Sequence, residues 1–371
     1  MGRNNPLRRL GLPASADERQ IRARLDELGV QVDLGLGPAW ASSAELVALR
    51  EALADTRLRA RARLYWVQSS AAWGEPPEGT TDARYFASCL GRLRDAPRAG
   101  RATREGLAQA HDRALLEYLR YLETPNTQDP GEALRGWVDV HESDEYWSAH
   151  AELLDPGLNA VDVETLRHEL PNEVLAPLIV TAAAFVDADQ VVSAAEIVTA
   201  MRQSGLPSDA TEAGVRAITV ATQQSVREGV TRLREALELI PDDAEGTAET
   251  QQAIRRADSI FIGEVLAPMA RLRTIDPLFE DSGLEDDVAR AGRGLGVEAA
   301  NEAGWWGRSA LVLEDALACA SSAHVRSQIA SDLALVQCLY HGGEAESCLR
   351  SDDYAGTAAH LEMAAEYAAD E

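Results

Sequence analysis

The 371-residue chain contains no lysine: all 35 of its basic residues are arginine. That absence removes the chemistries that need an ammonium group at a fixed place, among them the P-loop Gly-Lys-Ser/Thr site, Schiff-base catalysis and the ATP lysine of protein kinases. Two causes fit it: an arginine-biased genome, and selection against lysine in a protein that works beside a lysine-tagging system. Cysteine is scarce too, with four residues, too few for a disulfide framework. No run approaches the ~18 consecutive apolar residues of a membrane span. The opening MGRNNPLRRLGLP lacks the apolar core and small-residue cleavage site of a secretory leader. Together these absences set the expectation of a cytoplasmic protein with no membrane partner.

What is present is an ordinary globular composition, 46% apolar and 26% charged, carried on an uneven charge distribution. Residues 1–120 hold 19 Arg against 15 acids, net +4, and residues 121–371 hold 16 Arg against 46 acids, net −30, which gives the overall −26. A field of that sign repels phosphate backbones and attracts basic protein surfaces, so the expected partners are proteins and not nucleic acid. Ala, Leu, Arg and Glu dominate and period-two alternation is rare, so the reading is all-α, in about a dozen helices set off by Pro and Gly. Breaks are expected at 73–82, 123–131, 155–157, 205–209, 241–246, 276–283 and at Gly342–Gly343. Val215, Ile218, Val226, Val230 and Leu233 keep helical spacing and read as a buried helix face.

The first seventy residues have a recognisable order. A short helix, NPLRRLGL, precedes a second that runs to about Leu28 behind a Ser15/Glu18 capping box, with Ile21, Leu25 and Leu28 on one face. After a glycine-rich loop from Gly29 to Ser42, a third helix opens at Ser43 with the stripe Leu46, Leu49, Leu53. The opening NPLRRLGL, the helix ASADERQIRARLDEL and the close ELVALREALADTRLRARARLY together resemble the J domain of DnaJ-type co-chaperones over Asn5 to Trp66. The family's working His-Pro-Asp tripeptide is missing from the corresponding loop, GVQVDLGLGPAWASS, and the first histidine of the chain is His111. The resemblance therefore implies a J-like unit that does not stimulate a DnaK-type ATPase.

Beyond it, Val226–Asp243, Ala303–Ala320 and Asp353–Ala369 look like half-repeats of tetratricopeptide (TPR) type, each with an alanine at a packing position. Those alanines, Ala236, Ala316 and Ala364, lie 80 and 48 residues apart, not multiples of the 34-residue repeat, so the expectation is irregular TPR-like stacking of helical hairpins, or a plain bundle. The domain reading is 1–72, 83–245 and 246–371.

Candidate chemistry is thin. Trp137, Tyr146 and Trp147 read as a pair of aromatic-bearing helices that pack tryptophan on tryptophan, first as a core of large side chains in an alanine-rich body and otherwise, with Trp305 and Trp306, as candidate protein-binding anchors. Cys319, His324, Cys338, His341 and Cys348 form the pattern C-x4-H-x13-C-x2-H-x6-C, which two helices and a turn at Gly342–Gly343 could gather into a zinc site; but the CxxC knuckles of structural zinc sites are absent and buried free cysteines are common in helical cores, so no metal is expected. His168-Glu169 lacks the second histidine of a zincin, and Pro171 is expected to break its helix. A second acidic cluster is His141-Glu142 with Asp144, Glu145 and His150, and Gly292–Gly296 is a weak phosphate-loop pattern without its lysine. With no catalytic constellation and no cofactor motif, the expected function is a non-enzymatic, protein-binding adaptor or co-chaperone-like scaffold. The alternatives are a metal-dependent all-α enzyme with its site in the acidic body, and a structural subunit of a larger assembly.

Overall fold

The computed structural model describes residues 5–74, 81–100, 103–155, 157–241 and 247–369. It is 80% helical, and no strand occurs among the described residues. Three of the expected breaks fall partly outside them, at 75–80, 156 and 242–246, as does the His150 side chain. Contacts group the chain into two units, Met1–Ile218 and Thr219–Glu371, where the sequence suggested three domains.

Local capping chemistry opens the first unit. Asn5 accepts the Leu7 and Arg8 N–H groups at the start of α1 (Pro6–Arg9). α2 (Glu18–Asp33) begins at a reciprocal Asp17/Gln20 capping box, one that displaces the expected Ser15/Glu18 pair, and it runs on through Gly29. α3 (Ser43–Ala54) opens at the Ser42/Glu45 box and α4 (Thr56–Leu64) at Asp55. The apolar stripes Ile21–Leu25–Leu28 and Leu46–Leu49–Leu53 are buried, as their spacing requires. α5 (Asp82–Asp95) and α6 (Arg104–Glu123) lead through a 3-10 turn at Pro125–Thr127 into α7 (Pro130–Glu142) and α8 (Asp144–Leu154). Gly136 lets α7 approach α6 closely, because a methyl group there would lie 2.7 Å from the Ala114 Cβ.

α9 (Ala160–Asp187) corrects the expected break at Pro171: the helix passes through both Pro171 and Pro177. Its length and apolarity would allow a membrane crossing, yet Leu166, Leu170, Val174, Leu178 and Ala182 are buried against α6, α7, α8 and α10 (Val191–Gln203). Between the two prolines, which remove two backbone donors, the buried Tyr118 hydroxyl donates to the Val174 carbonyl. Gly205, at φ +86°, turns the chain into α11 (Ser208–Glu238).

In the second unit α12 (Ala248–Ile260) continues through a π-turn, Phe261–Leu266, into α13 (Ala267–Ile275). α14 (Ser282–Asn301), α15 (Trp306–Cys319), α16 (Ala323–Arg350) and α17 (Tyr354–Ala369) follow as antiparallel neighbours. One apolar cluster runs from Val226 to Val336 through all of these except α17. The Gly292–Gly296 pattern is no phosphate loop. Both glycines sit on α14, where a side chain would collide with Phe261 and Ala316 or with Leu313, and the Ser309 hydroxyl of α15 donates to the Gly296 carbonyl at 2.6 Å.

Candidate functional site

The expected anchors of the first unit are core residues. Trp137, Tyr146 and Trp147 are all at most 4% exposed. The Trp137 ring meets Tyr65, His111 and Tyr118, and Trp147 meets Tyr146, in place of the expected tryptophan pair. Large rings fill the space that an alanine-rich body leaves open. Trp305 and Trp306 are half-buried against the second unit's core, and the Arg255 guanidinium stands 5.3 Å over the Trp305 ring.

Around these rings lies a cluster of buried polar groups. His111 and Asp112 are fully buried. Asp112 accepts the Gln68 and Ser69 N–H groups at 2.7 and 2.6 Å, and the His111 ring spans the Leu64 carbonyl at 2.6 Å and Asp112 at 3.1 Å. Nearby, Asp155 bonds Arg59, lies 3.2 Å from Arg63, and accepts the Gly157 N–H at 3.0 Å. Burial pushes the Asp155 carboxyl up, but the Arg59 hydrogen bond, the Gly157 N–H and the two guanidinium charges outweigh it and hold it below the usual carboxylate range. Arg63 also donates to the Leu154 and Ala16 carbonyls, and Arg59 to that of Leu53. These groups spend their bonds on tying α4 and the segment after it to α2, α6 and α8.

The metal-ligand pattern is not gathered. α16 is one uninterrupted helix through Gly342–Gly343, so the expected turn is absent. At 1.5 Å per residue the rise from His324 to Cys348 is about 36 Å. Cys319 is buried at the end of α15, Cys338 and Cys348 are half-buried and His324 is exposed. His341 faces His360 of α17 instead, and no group of three or more His, Cys, Asp or Glu residues able to hold a metal occurs among the described residues. His168-Glu169 lies mid-helix on α9. At the α7–α8 junction Arg167 donates to the His141 carbonyl at 2.9 Å and pairs with Asp144 at 2.8 Å, so that cluster serves as a clasp. Burial, and then the Arg167 charge, push the His141 imidazole below its usual value. Burial likewise pushes the Cys89 and Cys319 thiols up. Alkylation of the native protein at neutral pH is therefore expected to label Cys338 and Cys348 first, with Cys89 and Cys319 slower by about ten-fold or more, read by peptide mass mapping. Equal rates at all four would contradict this placement.

An uncovered apolar feature is the face of the α16–α17 hairpin. Leu335, Leu339, Gly342, Glu346 and Leu349 succeed one another at i, i+4, i+7, i+11 and i+14, and all are exposed. Tyr354, Ala358, Leu361, Ala365 and Ala368 repeat the same spacing on α17, also exposed. Contacts at His341–His360, Ala345–Thr357 and Cys348–Gly356 show the two helices antiparallel. With about 100° per residue, each stripe is centred roughly 120° from its own helix's contact line. In an antiparallel pair equal rotations bring both stripes to one side, and on α16 the stripe lies about 100° round the helix from the line on which Val325, Ile329 and Val336 pack in the core. Leu335, Leu339, Leu349, Tyr354 and Leu361 are between 43% and 68% exposed. Residues 335–368 carry six acids, Glu344, Glu346, Asp352, Asp353, Glu362 and Glu366, against Arg350 alone. The sequence contained this spacing in full, but the weak amphipathicity of both helices hides it.

Comparison with family models, curated proteins and solved structures finds no match to this chain.

Proposed function

We propose that this protein is a non-enzymatic, protein-binding scaffold of the cytoplasm, and that the α16–α17 face is where it holds its partner. The observation that carries the proposal is the double stripe of exposed leucine, tyrosine and alanine within a carboxylate-rich hairpin. An apolar surface of this kind marks an interaction site. The stripe from Leu335 to Leu349 is about 21 Å long, four turns of helix. The occupant that fits it is an amphipathic helix with an apolar face and arginine or lysine along its flanks. The J-like reading of Asn5–Trp66 and the TPR-like reading of the hairpins belong to the same proposal, as modules of a co-chaperone-like adaptor that has lost its ATPase-stimulating tripeptide.

A synthetic four-turn helical peptide with a leucine face and arginine flanks tests the docking. Fluorescence anisotropy is expected to show binding that weakens steeply with salt. The variant L339E/L361E is expected to lose at least about ten-fold in affinity, the effect of removing a hot-spot residue. Equal binding of a glutamate-flanked peptide, or an unchanged affinity in the variant, would overturn the assignment.

A further inference from the structure

The one contact between ring nitrogens in the described chain joins the two helices of this same hairpin. The Nδ1 atoms of His341 and His360 are 3.0 Å apart, with ring planes inclined by 28° and centroids separated by 5.3 Å. The centroid separation exceeds the nitrogen separation by about the width of one ring, so the rings meet head-on through their nitrogens and are not laid face to face. Two nitrogens aimed at each other hold a hydrogen between them. A metal ion needs its ligands aimed at a common third point, and no further His, Cys, Asp or Glu completes such a set here.

We infer that His341 and His360 are a proton-operated latch that holds α17 on α16 and thereby keeps the docking face assembled. The regulatory half of this inference rests on the docking reading above; the latch itself does not. One Nδ1–H donates to the other Nδ1 lone pair when both rings are neutral. A first added proton preserves that bond, since one charged ring still donates to one neutral ring. A second leaves two N–H groups and two positive charges opposed, and the bond is lost. The opened hairpin thus binds one proton more than the closed one, and acid favours opening.

The surroundings fit this use. The Tyr367 ring of α17 lies parallel to His341 at 5.7 Å, and the Tyr340 ring lies 5.1 Å from it with planes at 62°. On α16, Cys338 and the half-buried carboxylate of Glu344 lie one turn to either side of His341. On α17 the contact line around His360 is Gly356, Thr357, Met363 and Ala364, which carry no charge. α15 and α14 pack on the far side of α16, where Glu314 is bonded to Gln337 and Arg293 to Asp332. Among the described residues of α17 only Ala364 is buried. With so little apolar burial behind it, the helix depends on the histidine contact more than a core helix would.

The test is hydrogen exchange of the full chain at about pH 8 and about pH 5, the range that histidine titration spans, read as protection factors so that intrinsic rates cancel. Wild-type α17 amides are expected to lose at least about ten-fold in protection at the lower pH, while α14 and α15 hold theirs. The variant H360Q keeps a neutral hydrogen-bonding partner for His341, and H341L/H360L replaces the pair with apolar contact; α17 protection in both is expected not to change with pH. Should the leucine variant fail to close at pH 8, H360Q decides alone. Wild-type protection that survives at pH 5, or an equal loss in H360Q, would overturn the latch. No peptide is present in this experiment, so a failure of the docking assignment leaves its outcome unaffected.

Discussion

Asp155→Asn is expected to destabilise the Met1–Ile218 unit by about 3–5 kcal/mol, the usual cost of breaking a buried ion pair from one side. The substitution removes the carboxylate that serves both Arg59 and Arg63, each 6% exposed, and leaves two guanidinium groups in a closed space. Burial already pushes Arg63 down, and the Asp155 hydrogen bond is what draws Arg59 up. The sign of the pH effect follows from the carboxyl, which is held below its ordinary range in the folded chain. Its stabilising contribution is complete above the unfolded carboxylate value and disappears as pH falls through the lower folded value. Urea unfolding at neutral pH is therefore expected to separate wild type from D155N by the full amount, and the gap to close in acid, where the wild-type carboxyl becomes neutral too. A gap below about 1 kcal/mol at neutral pH, the range of a surface pair, would show that the site is open to water.

Gly229→Ala is expected to cost about 3 kcal/mol in the Thr219–Glu371 unit, the upper end for overpacking. A methyl group on Gly229 would strike the carbonyl of Glu264, in the π-turn that faces α11. A flexible side chain could move aside, but a main-chain carbonyl moves only with its helix. Gly263, in the same π-turn, has open space around its Cα. Gly263→Ala is thus the matched control, expected to be neutral or to stabilise by up to about 1 kcal/mol. Thermal unfolding of the two variants checks the pair: equal shifts would mean that glycine content, not close approach, sets the effect.

Much of the helical framework was legible because caps and stripes are local. Ser42 opens α3 and Asp276–Gly283 separates α13 from α14 where the residue chemistry points. Val215, Ile218, Val226, Val230 and Leu233 are all buried, as their spacing required. Ala236, Ala316 and Ala364 are buried as well. The misplacements come from competition between local rules and packing. Ser15/Glu18 and Asp17/Gln20 offer the same capping chemistry two residues apart, and the sequence alone does not choose between them. Gly29, Pro171 and Gly342–Gly343 are breakers by propensity, yet α2, α9 and α16 run through them. For Trp137, Tyr146 and Trp147 the sequence left two readings open, core and anchor, because a buried ring and a surface anchor share one helical period; burial takes the first. The His341–His360 contact depends on the antiparallel register of α16 and α17, and no local pattern encodes that.

The glycine pair in α16 has a dynamic consequence. A side chain at Gly342 or Gly343 would meet nothing within 4 Å, so neither glycine is there to make room for a neighbour. Each costs an exposed helix about 1 kcal/mol relative to alanine. They lie beyond Val336, the last residue by which α16 reaches the core cluster. The backbone is therefore softest at the point where the hairpin leaves its support. The last turns of α16, together with α17, are expected to open locally more often than the folded core beneath them.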